Sequence, residues 1–184
     1  MVMKYVIECV DKLYKWNFIE YKHISKIVGK SNLIFTNTSS KRLKLFGKVE
    51  EKSVKELCLK KICILDPSSK KTLSPADAKK FDYLIFGGIM GDFPPKKRTR
   101  KFFKQVKAER RNLGKGQMPT DNAVYVAKKI IEGTPLEKME FKNNITIKIN
   151  EYEEVDLPFT YVVVKGKPLV SGELISYLRK TKEF

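Results

Sequence analysis

Apolar and polar positions along this 184-residue chain follow two regimes that change over near Gly133. Before it, strand-length apolar runs alternate with segments of helical period. Met3 to Cys9 is rich in Tyr, Val and Ile, as a strand buried on both faces requires. Asn17 and Glu20 form an N-cap and N3 pair, which predicts a helix with Tyr21, Ile24, Ile27 and Val28 on one face and Gly29 as its stop. Asn32 to Asn37 predicts a second strand, and the basic Lys41 to Lys48 either a short helix or a loop. Ser53 caps a helical piece through Leu57, and Ile62 to Leu65 is a third strand ended by Asp66-Pro67, because proline removes a ladder donor.

Ser74-Pro75-Ala76-Asp77 has the cap, first-turn proline and N3 carboxylate of a helix start, and it leads into the apolar run Phe81 to Phe86. Lys96 to Lys107 reads as a basic helix and Ala108 to Leu113 as a short strand. Thr120 caps a helix whose Ala123, Val126, Ala127, Ile130 and Ile131 keep the helical period up to Gly133. Beyond Gly133, Ile145, Ile147 and Ile149 alternate with polar residues, and Tyr161 to Val164 enters a tight turn at Lys165-Gly166 before a closing helix, Gly172 to Lys180. The order predicts an α/β core over 1–133 and a small β-rich extension over 134–184, with no internal repeat.

Three loops stand out at strand ends. Asp66-Pro67 follows the third strand; Gly87-Gly88-Ile89-Met90-Gly91-Asp92 follows Phe86; Leu113-Gly114-Lys115-Gly116-Gln117-Met118 follows the strand at Ala108 to Leu113. Glycine lets backbone amides and carbonyls approach a flat ligand, although Gly-Gly after a strand is also an ordinary turn. The spacing is not that of a dinucleotide fingerprint, since Pro94-Pro95 prevents a helix from following directly, and no Gly-Lys-Ser/Thr makes a phosphate loop.

Charge adds a milieu. Lys and Arg total 38 against 21 acidic residues, a formal net charge of +17, which favours polyanionic neighbours such as ribosomal RNA or simply serves solubility. Cys9, Cys58 and Cys63 make no metal-ligand spacing, and Cys58 and Cys63, flanking an apolar segment, read as core or near-core thiols in a reducing, cytoplasmic setting. The lone His23, beside lysines, reads as a solvated surface residue without a role. No metal site and no membrane span is expected.

The ordered series Ile64-Leu65-Asp66-Pro67, Phe81-Asp82-Tyr83, Phe86-Gly87-Gly88-Ile89-Met90-Gly91-Asp92, Pro94-Pro95, Arg98-Thr99, Arg110-Arg111, Gln117-Met118, Thr120-Asp121 and Pro158-Phe159 resembles an archaeal and eukaryotic SPOUT methyltransferase family. The resemblance covers most of the chain and implies a trefoil-knotted α/β sheet, an exception to the rule against threaded chains. It also implies S-adenosylmethionine (SAM) as cofactor, held where the three loops converge. On that reading Leu65, Asp66, Pro67, Phe86, Gly87, Gly88, Gly91, Leu113, Gly116, Gln117 and Met118 are the candidate cofactor-binding residues. The family's fungal member is a ribosomal-protein arginine methyltransferase, and around Asn37 to Lys52 this chain is shorter and more basic than that fungal pattern.

SAM carries an activated methyl group, so the protein mainly aligns donor and acceptor. If the acceptor is arginine, a carboxylate must assist proton loss, because the guanidinium pKa lies above about 12. Asp92 is the first candidate for that base; Glu8 and Asp121 are the others. Arg98 and Arg111 are candidates for binding substrate phosphate or a cofactor carboxylate. Three functions stay open: methylation of an arginine on a small-subunit ribosomal protein, methylation of ribosomal or transfer RNA by the same site, and a basic ribosome-binding module without catalysis. A monomer and a homodimer are equally open.

Overall fold

The computed structural model describes residues 2–88 and 98–181. Six strands form one parallel sheet: β1 (Lys4–Cys9), β2 (Leu33–Thr36), β3 (Lys48–Val49), β4 (Ile62–Leu65), β5 (Tyr83–Gly88) and β6 (Glu109–Arg111), in the order β3-β2-β1-β5-β4-β6. Each pair is parallel, with Val6 opposite both Ile34 and Ile85, and Ile64 opposite Ile85 and Arg110. This is the mostly parallel, helix-flanked sheet of the SPOUT class.

The continuous apolar runs are explained by burial on both faces. Tyr5, Ile7, Cys63, Leu65, Leu84 and Phe86 point to one face, where they meet Tyr21, Ile24 and Val28 of α1 (Lys15–Val28). Val124, Ala127 and Ile130 join that face from a later helix that runs Thr120–Ile131. The alternate positions Val6, Ile64 and Ile85 pack on the other face with Val54 and Phe103. Full burial of such side chains contributes about 1.5–3 kcal/mol each, so a one-residue register slip would exchange two complete sets of contacts.

The path from β4 to β5 wraps the outer edge of β6. Asn112 donates its amide to Lys71 O at 2.8 Å, and Leu73 donates to Asn112 O at 3.0 Å, so β6 is held between β4 and the Lys71 to Leu73 segment. The wrap continues into a 3-10 turn, Pro75–Lys79, capped by Ser74.

After α2 (Arg98–Phe102), β6 and α3 (Thr120–Ile131), a second, three-stranded antiparallel sheet follows: β7 (Phe141–Lys148), β8 (Glu154–Val164) and β9 (Lys167–Pro168), then α4 (Gly172–Lys180). The tight turn at Lys165-Gly166 has φ of 51° and 74°, which Gly166 takes without strain. Ile145, Ile147, Leu157 and Tyr161 close on Ile19, Leu174 and Leu178. Asn122 of α3 ties this extension to the core: its Oδ1 accepts from Val162 N and its Nδ2 donates to Leu169 O, both at 3.0 Å.

Several local expectations are corrected. The first helix starts at Lys15, with Tyr14 as N-cap; Asn17 is the N3 residue, accepting Tyr14 N at 2.8 Å, so Glu20 is released from any capping role in α1. Thr120 lies inside α3 with Pro119 as N-cap, because a carboxylate from another helix caps the end in its place. The Ser53 to Leu57 piece is a single turn, since the Ser53 hydroxyl is given to Glu8. Of the basic helix expected over Lys96 to Lys107, the described part is only Arg98–Phe102, where the chain turns to bury Phe103 under the sheet. Cys63 is buried but Cys58 is exposed.

Candidate active site

In a parallel sheet the loops at the carboxyl ends of adjacent strands face one crevice. Here they enclose a cavity of about 490 Å³. Leu65, Asp66, Pro67 and Ser68 line it from the end of β4, Phe86 and Gly87 from β5, and Leu113 through Met118 from the end of β6. The three predicted strand-end loops therefore converge. Phe159 and Tyr161 of β8, with Val170, Ser171 and Leu174 around the start of α4, form the opposite wall. Such a size suits a ligand of a few tens of heavy atoms.

Within this cavity Gln117 Oε1 is buried and finds no hydrogen-bond donor among the described residues. An unpaired buried acceptor costs about 1–3 kcal/mol, so the site fits a ligand that brings a donor. Gln117 itself is fixed through its carbonyl, which accepts Thr160 N at 2.8 Å. Gly116 lines the same wall, and a Cβ there would collide with Thr160. Gly88 has a different reason to be glycine: a Cβ would lie 2.6 Å from the Tyr21 hydroxyl and 2.8 Å from Glu8 O, and Gly88 does not line the cavity. Its expected place in a cofactor cradle is replaced by a packing role between α1 and β1.

The charged candidates divide. Asp66 Oδ1 accepts Ser68 N and Oγ at 2.9 and 2.7 Å, and Oδ2 accepts Arg110 Nη1 at 3.1 Å, so its carboxylate shapes the loop that forms the cavity floor. Arg111, expected to bind substrate, also lines the cavity, with its guanidinium hydrogen-bonded within the chain. Nε and Nη2 donate to Asp77 at 3.1 and 3.0 Å, Nη2 also to Glu109 at 2.7 Å, and Nη1 to Arg110 O at 2.9 Å. Burial alone would raise the Asp77 pKa, but the hydrogen bonds from Arg111 and Ser74 hold it below the usual value. Arg98 does line the cavity and forms a bidentate pair with Asp11, with Nη1 to Oδ2 at 3.1 Å and a shorter contact from Nη2 to Oδ1.

The family model for SFM1-like protein arginine N-methyltransferases matches residues 4–183. The chain belongs to this family. It is 34% identical over 203 positions to protein arginine N-methyltransferase SFM1 of Saccharomyces cerevisiae, with 97% of this chain and 95% of the yeast protein covered. The crystal structure of yeast SFM1 complexed with SAM matches at a TM-score of 0.89 and 33% identity, over 98% of this chain and 91% of that one. A dual specific Trm10 from Thermococcus kodakaraensis shares the fold at 18% identity and a TM-score of 0.60, over 74% of this chain and 96% of its own.

In this SFM1-like chain the three candidate bases are widely separated in role. Asp92 and the cradle residue Gly91 lie outside the described residues. Glu8 is fully buried away from the cavity; its carboxylate accepts Thr36 Oγ1 and Ser53 Oγ at 2.5 Å each and Val54 N at 3.0 Å, so it staples β1 to β2 and to the Ser53 turn. Asp121 lines the cavity, with Oδ2 2.7 Å from His23 Nδ1 and Oδ1 accepting Asn122 N and Nδ2 at 2.7 and 3.0 Å. His23 is thus a half-buried partner of Asp121, not a solvated surface residue, because α1 packs its Glu20/His23 side against the start of α3.

Trp16 and Glu20 are among the cavity residues that the sequence did not single out. Together with His23 they are spaced i, i+4, i+7 on α1, the signature of one helix face. Reading Glu20 as a cap partner and His23 as a solvent residue hid that stripe. Among the described residues no cluster of His, Cys, Asp and Glu is arranged to hold a metal, and no helix is long and apolar enough to cross a membrane.

Proposed function

We propose that this protein transfers the methyl group of SAM to an arginine side chain of a protein, with a small-subunit ribosomal protein as acceptor. One observation carries the reading: three strand-end loops meet around a single cavity that contains a buried acceptor, Gln117 Oε1, in need of a donor. SAM offers such donors in its adenine amino, ribose hydroxyl and ammonium groups, and when bound it supplies a methyl already activated on a positively charged sulfur. Leu65, Pro67, Phe86, Leu113 and Met118 would give the apolar walls, and Gly87 and Gly116 close backbone approach.

Membership of the arginine methyltransferase family supports a protein acceptor over RNA. The wrap of the Lys71 to Leu73 segment around β6 supports the threaded chain path that the SPOUT resemblance implies. A net charge of +17 supports work at the ribosome, where RNA supplies the opposite field. Incubation with methyl-labelled SAM and isolated ribosomal subunits, followed by separation of protein from RNA, tests the assignment. Label is expected in one small-subunit protein, in acid-stable methylarginine. Label in RNA, or none above the heat-inactivated control, overturns it.

A further inference from the structure

We propose that Glu20 is the catalytic carboxylate on the acceptor side: it receives the substrate guanidinium against the indole of Trp16 and takes its proton during transfer. The inference rests on the reading of the cavity as an arginine methyltransferase site. It names a residue that the three sequence candidates did not include.

The geometry separates Glu20 from its neighbour. Glu20 Oε1 accepts Thr120 N at 2.8 Å and Asp121 N at 3.4 Å, so the positive end of α3 fixes that oxygen. Glu20 Oε2 has no donor among the described residues, and the residue is part-buried and lines the cavity. One oxygen is anchored and the other is offered. Asp121 has both oxygens committed, to His23 and to Asn122, and its side chain is only 7% exposed. Asp121 therefore acts on Glu20 as a fixed negative charge, not as the group that meets the substrate.

One helical turn earlier, Trp16 lines the same cavity, held edge to face against Tyr177 with ring centroids 6.5 Å apart. An indole one helical turn from a carboxylate offers a cation two partners, and a planar guanidinium suits both: N–H groups to the carboxylate and its plane against the ring. The other charged or titratable groups of the lining are Asp121 with His23 behind it, Tyr161 from β8, and Asp66, Arg98, Arg111 and Lys115. Burial, then the charges of Asp121 and Glu20, push the Tyr161 hydroxyl up, so it remains a neutral phenol.

In the transfer, a bond forms between an arginine nitrogen and the methyl carbon, the carbon–sulfur bond breaks with its electrons left on sulfur, and the nitrogen's proton passes to Glu20 Oε2 and then to solvent. Burial first, and then the charge of Asp121, raise the Glu20 pKa to about 8. That makes it a stronger base than an ordinary carboxylate, as a proton acceptor from guanidinium requires. An arriving guanidinium favours the charged form, so the rising limb of the rate against pH lies at or below about 8.

Glu20→Gln keeps the size and an acceptor for the α3 amides but cannot take a proton. We expect single-turnover transfer at saturating SAM to fall on the order of a hundredfold, SAM affinity to change less than about threefold, as expected where uniform binding is untouched, and the rising pH limb to vanish. Glu20→Asp keeps the charge and draws it back by one methylene; it should lose roughly tenfold and retain the limb, and it carries the test should Glu20→Gln fold poorly. A readout free of catalysis is ethylguanidinium titrated into the cofactor-free protein and followed by the Trp16 indole NMR signal, which should shift saturably in wild type and not in Glu20→Gln. Wild-type methylation with an equally active Glu20→Gln overturns this inference alone, as does loss of SAM binding in step with rate. A wild type that binds SAM but methylates no protein arginine overturns the functional reading and this one with it.

Discussion

A β-carbon built on Gly116 would lie 2.1 Å from Thr160 Oγ1 and 2.7 Å from Thr160 Cβ. The same threonine donates its amide to Gln117 O at 2.8 Å and its hydroxyl to Asn143 Oδ1 at 2.7 Å. The antiparallel extension is therefore pressed onto the cavity loop at a residue without a side chain, and it sets where Gln117 sits. Gly116→Ala should cost about 1–3 kcal/mol of stability by overpacking and weaken SAM binding. Thr160→Gly on the same background should recover part of both, measured by thermal unfolding and calorimetry.

Gln117→Leu makes an opposed pair of expectations. Removing an unpaired buried acceptor relieves the empty protein, which should unfold at a slightly higher temperature, by up to about 1 kcal/mol at the midpoint. The bound state loses its hydrogen bond, so SAM affinity should fall roughly tenfold. A variant that is both less stable and unchanged in affinity would show that Gln117 serves packing and not the ligand.

Arg111 and Asp77, 4% and 2% exposed, are a buried pair whose separation leaves an uncompensated charge. Arg111→Met should cost about 3–5 kcal/mol, a loss of fold and not of substrate recognition. The Asp77 pKa is lowered in the folded protein, so the stabilisation is fully present above the unfolded carboxylate value near 4 and is lost as pH falls through the lower folded value. Urea melts between neutral pH and pH about 2 should show that acid limb in wild type, and Asp77→Asn should flatten it.

Why the sheet was legible and parts of the site were not follows from range. Val6, Ile64 and Ile85 declare a two-faced strand by themselves, since local hydrophobicity and the glycine and proline stops carry the information. The three strand-end loops were legible for the same reason. Thr120 and Glu20 are 100 positions apart, and nothing near Thr120 reveals that its amide is capped by another helix. Arg111 looks like any basic residue until the wrap of the β4-to-β5 connection brings Asp77 against it. Gly88 and Gly116 are both glycines in cradle-like stretches, yet what decides their roles is the Tyr21 hydroxyl in one case and Thr160 in the other.

Glu8 gives a clean test of a structural carboxylate against a catalytic one. Ser53→Ala removes one of its three donors and should destabilise the protein by about 1–3 kcal/mol. Methyl transfer per folded molecule should stay unchanged, checked by activity at a temperature well below the unfolding transition. A fall in turnover without a fall in stability would return Glu8 to the list of bases.

The most direct measurement is a crystal structure of this protein with SAM. SAM is expected in the cavity between the ends of β4, β5 and β6, with one of its donors within hydrogen-bond distance of Gln117 Oε1 and its methyl group turned toward Glu20 and Trp16. SAM bound elsewhere, or bound here with Gln117 Oε1 still unpaired and the methyl group facing away from Glu20, would contradict the account.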